Sequence, residues 1–422
     1  MDQDVTHLQA LLDVSKALVG KFQLEDLLQI IIQKTSDVLD AERSSLFLFD
    51  DKRQELWTKI AQGLDDSETI RFPIGVGIAG EVAKTRQGQN IPDAQTDPRF
   101  NPAFDKQTGY RTRSMLCLPL IGNNERLIGV IQVLNKKGGK EFDQRDTSLL
   151  EALSAYAAIA LERAQLMQAY IEKQRMEEAL RVAHDIQMDL LPQGLPPFPN
   201  ASIIDLHAIL IPAQEVGGDL YDYFLIDDQH IFFVVGDVSG KGVPAALFMA
   251  VTQTLVKAFA RKGLTPHEVL AAVNTELCLH NPSCMFVTLF CGILNTQTVT
   301  LDYANAGHNP PFFISRGQEG HFLEISDGTA VGILEEARFT THTIQLKPHD
   351  SLLIYTDGIT ESMNAQNALF AEERLQQVVR HLHTQSSRDI INGILEKVRN
   401  FSEGQPQADD ITLMNIKIGQ TE

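Results

Sequence analysis

The chain has 422 residues, 43% of them hydrophobic, with 36 Lys and Arg against 55 Asp and Glu and a formal charge of −19. That length and apolar content allow two or three globular cores. The acidic balance argues against a nucleic-acid ligand and against an anionic membrane surface as partner, because both need a basic face.

The surplus acid serves solubility or, where it clusters, metal binding. The four cysteines, Cys117, Cys278, Cys284 and Cys291, form no CxxC pair. They read as free structural thiols in a reducing compartment, with no zinc site and no disulfide frame. The N-terminal stretch is acidic and amphipathic, unlike a secretory leader. No run reaches the ~18 apolar residues of a membrane span. A cytoplasmic protein is expected.

Leucines, isoleucines and valines spaced by three and four predict helix over 6–40. Strands are expected at 46–49, 69–72, 114–121 and 129–136, with a short helix in EVAKTRQ after the glycines of PIGVGIAG. This is an antiparallel α+β pattern ending near 140. Residues 143–191 hold no glycine or proline. Leu153, Ala157, Ala160, Ala164, Met167 and Ile171 make a heptad-like stripe that breaks near Gln174 and resumes with Met176, Leu180, Ala183 and Ile186. A coiled-coil connector with a phase break is one reading, and a helix docked on its own domain is the other. LPQGLPPFPN, with four prolines, marks a domain boundary at 191–200. Beyond it, strands are expected near 203–210, 230–235, 288–294, 298–305, 311–315 and 351–355, and helices near 243–262 and 266–280. Consecutive strands without intervening helices again indicate antiparallel α+β layers.

GDVSGKG at 236–242 tests as a phosphate loop and fails: Val235 stands where a Walker loop needs glycine, and Gly242 where it needs Ser or Thr. Acids by glycines or at strand ends are a better pattern. Asp219 lies in EVGGDLYDYF, Asp237 in VVGDVSGKG, Asp357 in LLIYTDGITES, and Asp409 and Asp410 in QADDITLM. One such aspartate is commonly a turn residue. Several together supply the oxygen ligands that Mg²⁺ and Mn²⁺ prefer, and a paired-ion site suits phosphoester hydrolysis by a metal-activated water. No GxSxG elbow and no CxxxxxR signature offers a covalent nucleophile. His308 in ANAGHNPP is either a turn histidine held by Asn305 and Asn309 or a group near the leaving oxygen. Lys241 reads as structural.

PAQEVGGDLYDYF, GDVSGKGVPAALFMA, ANAGHNPPF, LLIYTDGITES and ADDITLM resemble, in order, the motifs of SpoIIE/RsbU-type serine/threonine phosphatases of the metal-dependent, protein phosphatase 2C-like superfamily (PPM). The resemblance implies an αββα sandwich and two Mn²⁺ or Mg²⁺ ions. It implies Asp237 as the bridging ligand, Asp219 and the Val238 carbonyl on one ion, and Asp357 and Asp409 on the other. Asp410 stands where the superfamily often has asparagine. The implied substrate is a phosphorylated STAS-domain anti-sigma-factor antagonist in a partner-switching pathway. The helices over 243–280 resemble switch helices, and AHDIQMDLLP the segment joining sensor to phosphatase.

AERSSLFLFD, FPIGVGIAGEVAKT, IPDAQTDPRFN, SMLCLPLI and LIGVIQVLNK resemble a GAF domain. NKKGGKEFDQRD resembles the NKxxFxxxDE signature of cyclic-nucleotide-binding GAF domains, with Thr147 in place of its glutamate. Lys136 and Asp146 are expected to pair as a lid salt bridge. A cyclic nucleotide or other small effector would meet Arg43, Ser45, Ala79, Gly80, Asp97 and Phe100; the alternative is a GAF domain used for dimerisation. The expected organisation is an N-terminal helix at 1–21, a GAF sensor at 22–165, a coiled-coil linker helix at 166–192 and a SpoIIE-type phosphatase domain at 193–420, forming a homodimer through the GAF domain and linker. Two rivals are a non-catalytic pseudophosphatase scaffold and a nucleotide-cyclising or nucleotide-hydrolysing enzyme. The intact acids oppose the first, and the lack of GGDEF, EAL or HD signatures the second.

Overall fold

The computed structural model describes residues 24–58, 70–102, 105–106, 109–192, 194, 203–279, 281–315, 319–325 and 328–419. The helix expected at 1–21 and most of the proline-rich boundary lie outside them. The chain divides into two compact units, Met1–Met176 and Glu177–Glu422.

In the first unit the apolar runs are strands buried on both faces. Helix α1 (Leu24–Val38) precedes β1 (Ala41–Asp50), β2 (Glu55–Thr58), β3 (Ile70–Pro73), α2 (Gly77–Thr85), β4 (Gln89–Ile91), β5 (Met115–Ile121) and β6 (Leu127–Lys136). The sheet order is β3-β2-β1-β6-β5-β4, every pair antiparallel. Side chains alternate across a strand. Leu46 and Leu48, with Leu116, Leu118 and Leu120, therefore face α1, while Phe47, Met115 and Cys117 face α2.

Helix α3 (Gln144–Leu190) is 47 residues long, about 70 Å at 1.5 Å per residue. Its first part is docked: Leu150, Leu153, Ala157, Ala158, Leu161 and Ala164 are buried in the core shared with α1. The stripe from Leu153 to Ala164 thus belongs to the sheet, because the spacing that suits a partner helix suits a sheet face equally well. Beyond it Leu166, Met167, Tyr170, Ile171, Met176, Val182 and Ile186 are exposed. The helix runs unbroken past Gln174.

The second unit is an αββα sandwich. It contains β7 (Ile204–Ile211), β8 (Leu220–Asp227), β9 (His230–Val238), α4 (Val243–Ala260), α5 (Pro266–Leu279), β10 (Val287–Asn295), β11 (Thr300–Ala306), β12 (Phe312–Ile314) and β13 (His321–Phe322). There follow β14 (His342–Gln345), β15 (Ser351–Tyr355), a one-turn helix α6 (Asp357–Thr360), α7 (Ala371–Leu382), α8 (Ser387–Ser402) and β16 (Ile411–Ile418). The sheets are β14-β11-β10-β9-β8 and β13-β12-β15-β16-β7. Helices α4 and α5 cover the first and α7 and α8 the second. Strands β8, β13, β14 and β16 and helices α7 and α8 go beyond the elements expected from sequence.

Strand parity organises the sandwich. Ile231, Phe233 and Val235 point between the sheets, and Phe232 and Val234 toward α4 and α5. Met414, Ile416 and Ile418 point between the sheets, Ile411 and Leu413 outward. Helix α4, 18 residues with mean hydropathy 1.5, is long and apolar enough to cross a membrane by length and composition alone, but its face of Ala245, Met249, Val256 and Ala260 packs in the core against the first sheet.

The docked part of α3 gives the first prediction. Leu161 is 0% exposed, so Leu161→Ala should lower the first unit's stability by about 2–5 kcal/mol in a denaturant titration. A loss below about 1 kcal/mol would contradict the docking.

Candidate functional site

The parity that fills the sandwich also collects its acids. Asp219 directly precedes β8, two residues before the inward Tyr221, and Asp237 continues the inward row Phe233, Val235. On the opposing sheet Asp410 and Thr412 lead into the inward Met414, and Thr356 follows the inward Ile354. All of them lie at the same end of the sandwich, where β9 and β15 finish and β8 and β16 begin. Asp357 opens α6, and Asp409 adjoins Asp410.

Asp219 is 1% exposed. Its Oδ2 accepts from Thr356 Oγ1 at 2.8 Å and Thr412 Oγ1 at 2.6 Å. Burial, then Asp237, hold its carboxyl well above the usual carboxylate range. Burial, then Asp357 and Asp409, push Asp237 up to about 7. Asp357 is raised by burial, Glu361 and Asp409. Lys241 places Nζ 2.9 Å from Asp409 Oδ2 and donates to the Ala408 carbonyl at 2.6 Å. The GDVSGKG lysine therefore ties its loop to the loop of Asp409, where it neutralises one acid.

Asp410 is committed to backbone. Oδ1 accepts the Ala213 N–H at 2.7 Å, and Oδ2 accepts Gly218 N–H at 2.6 Å and Asp219 N–H at 3.4 Å. His308 is 2% exposed, and burial lowers it to about 4, so it is neutral near pH 7. Its main chain is held by Asn305 at 2.7 and 2.8 Å, and its Nδ1 lies 2.9 Å from Thr288 Oγ1. Thr288 takes the place foreseen for Asn309.

The donor set fits a hard divalent cation: five carboxylates with one ammonium among them, of which Asp219, Asp237 and Asp357 are raised by burial and by their acidic neighbours. Gly218 fits as well, since a Cβ there would stand 3.0 Å from the Val238 carbonyl oxygen. Among the described residues no three His, Cys, Asp or Glu side chains close into one compact ligand cluster. Thr356, Thr412 and Glu361 went unnoticed in the sequence, although both threonines sit beside motif aspartates.

The first unit encloses a separate cavity. Arg43, Ser45, Ala79 and Phe100 line it with Phe47, Phe72, Tyr110, Met115 and Gln132. Gly80 and Asp97 do not. The Gly80 carbonyl accepts the Gly75 N–H at 2.8 Å, closing the turn before α2. Asp97 takes Arg99 Nε and Nη2 at 3.0 and 2.7 Å. The Arg43 guanidinium stands 4.0 Å over the Tyr110 ring, whose hydroxyl donates to Glu42 at 2.9 Å. Asn135, 1% exposed, accepts the Arg113 N–H at 2.6 Å and donates to the Arg111 carbonyl at 2.9 Å, pinning the segment that carries Tyr110 and Thr112. Lys136 and Asp146 do form an ion pair. It lies at the junction of β6 and α3, outside the cavity lining, and works as a helix clamp where a lid was expected: Asp146 also accepts the Asp143 N–H at 2.9 Å.

The family model for stage II sporulation protein E (SpoIIE) matches residues 227–419, and the GAF domain model matches 23–161. Among curated proteins, Protein IcfG of Synechocystis is 29% identical over 264 residues, 56% of this chain and 41% of that protein. Phosphoserine phosphatase RsbU of Bacillus subtilis is 26% identical over 245 residues, 58% of this chain and 71% of that one. A probable 3',5'-cyclic phosphodiesterase of Caenorhabditis elegans, pde-5, is 35% identical over 188 residues, 42% of this chain and 25% of that one. The chain thus spans less than half the length of two of these relatives. The solved SiaA-PP2C domain of Pseudomonas aeruginosa shares the fold, with a TM-score of 0.52 at 19% identity over 58% of this chain and 98% of that one. The chain thus carries a GAF match in its first unit and a SpoIIE match in its second, and the second unit shares the fold of the SiaA-PP2C domain.

Proposed function

We propose that this protein is a cytoplasmic, metal-dependent protein serine/threonine phosphatase whose activity is set by its GAF domain. The observation that carries the reading is the meeting of Asp219, Asp237, Asp357 and Asp409 in one electrostatic field at the end of the sandwich. In this reading those acids and the Val238 carbonyl would hold two Mn²⁺ or Mg²⁺ ions. Bound there, the ions supply an activated water and neutralise charge on a phosphoryl group. The chain's own groups do the positioning. Thr356 and Thr412 fix the Asp219 carboxylate, Lys241 fixes Asp409, and Asp410 holds the backbone leading into Asp219. No side-chain nucleophile is required.

Similarity to the phosphoserine phosphatase RsbU supports phosphoserine as the substrate group. The substrate we assign is a phosphorylated STAS-domain protein in a partner-switching pathway. The cavity of the first unit takes a small effector; likeness to a cyclic phosphodiesterase supports a cyclic nucleotide. The exposed apolar residues of α3 from Leu166 to Ile171 support a homodimer through the linker.

The assay is hydrolysis of p-nitrophenyl phosphate and of a phosphoserine peptide with Mn²⁺. Activity is expected in the wild type, with a loss of at least ~100-fold in Asp237→Asn, which removes a ligand charge. A wild type inert at saturating Mn²⁺ would leave a scaffold as the better description. Sedimentation of the full chain should give twice 46.9 kDa, and Met167→Glu with Ile171→Glu should give monomer. A wild-type monomer would remove the dimer from the reading.

A further inference from the structure

The last turns of α3 reach the acid cluster through one side chain. Gln187 is 4% exposed, although most of the helix around it faces solvent. Its Nε2 donates to the Gly217 carbonyl at 2.7 Å, and its Oε1 accepts the Gly217 N–H at 3.1 Å. That carbonyl belongs to the Gly217–Gly218 peptide, whose N–H donates to Asp410 Oδ2 at 2.6 Å. One rigid peptide plane is therefore gripped from both sides, by the helix and by a site carboxylate. There is no slack between them, since a Cβ on Gly217 would stand 2.4 Å from Asp410 Oδ2. The next residue along the chain is Asp219.

Two neighbouring contacts hold the helix end in this register. His184 Nδ1 meets the Glu215 carbonyl at 2.8 Å, and Gln253 of α4 donates to the Leu190 carbonyl at 3.1 Å. Packing alone does not call for an amide here. A leucine or methionine would bury at a lower desolvation cost, whereas a buried amide costs free energy unless both its ends are bonded. What the amide adds is a fixed distance and orientation between helix and loop.

We infer that Gln187 is a positioning residue for the acid site. Through the Gly217–Gly218 peptide it sets the orientation of Asp410 and of the backbone entering Asp219, so a displacement of the α3 end is passed to the acids. This rests on the metal-dependent phosphatase reading above, and the test separates the two.

Full-length wild type, Gln187→Met and Gln187→Glu are titrated with Mn²⁺ in a calorimeter and assayed with p-nitrophenyl phosphate. Methionine keeps the volume and loses both hydrogen bonds. Glutamate keeps the acceptor for Gly217 N–H and sets an oxygen against its carbonyl, so it decides the matter should the methionine variant not fold. Both variants are expected to bind Mn²⁺ roughly 10–100-fold more weakly, as loss of a group supporting metal ligands does. Their kcat should fall with KM unchanged, and their metal-free melting temperature should stay within a few degrees of wild type. Mn²⁺ affinity equal to wild type in both variants overturns the inference, and so does a lowered melting temperature with unchanged Mn²⁺ affinity, which marks a purely structural residue. A wild type that neither binds Mn²⁺ nor hydrolyses the ester overturns the phosphatase reading itself.

Discussion

The burial of neighbouring carboxylates at one end of the sandwich is the constraint around which the second unit's site is arranged. Strand parity puts Asp219, Asp237 and Asp410 between two sheets at one end of the sandwich, and Asp357 and Asp409 at its rim. Like charges in a poorly solvated space cost several kcal/mol unless something compensates. Several local features provide compensation: two threonine hydroxyls on Asp219, Lys241 on Asp409, and three backbone N–H groups on Asp410. What these leave over is the negative field that a pair of divalent cations would balance. Gly240 and Gly242 of the glycine-rich loop take positive φ, 89° and 74°, a conformation that favours glycine.

Helix α3 takes part in both units. Its first five turns are core to the GAF sheet, and its last two turns bond the loop that enters Asp219. Between them it presents apolar residues to solvent. The Lys136–Asp146 pair clamps the start of the helix to the end of β6, just as Gln187 clamps its end to Gly217.

Much of the site was legible because acids flanking glycine at the ends of apolar runs are a local signal. Asp219, Asp237, Asp357 and Asp409 were visible one by one, and ordered motifs linked them. The threonines were not: a hydroxyl at the end of a strand carries no pattern until the facing sheet is known. Gln187 was hidden for the same reason, as one glutamine among many on a polar helix. Periodicity could not decide where two environments share a spacing, so that Leu153 to Ala164 suited a coiled coil and a sheet face alike. In the GAF domain the strand-borne Arg43 and Ser45 reach the cavity, but Asp97 satisfies Arg99 two residues away, a short-range pairing that sequence position could not distinguish from a ligand contact.

The central claim is that these acids form a metal centre. Crystals of the full chain grown with Mn²⁺ and measured at the manganese absorption edge test it most directly. Two anomalous peaks about 3.5–4 Å apart, both touching Asp237 and one each reaching Asp219 and Asp357, are the expected result. Saturating Mn²⁺ with no peak among these carboxylates, or with peaks only at surface acids elsewhere, would contradict it.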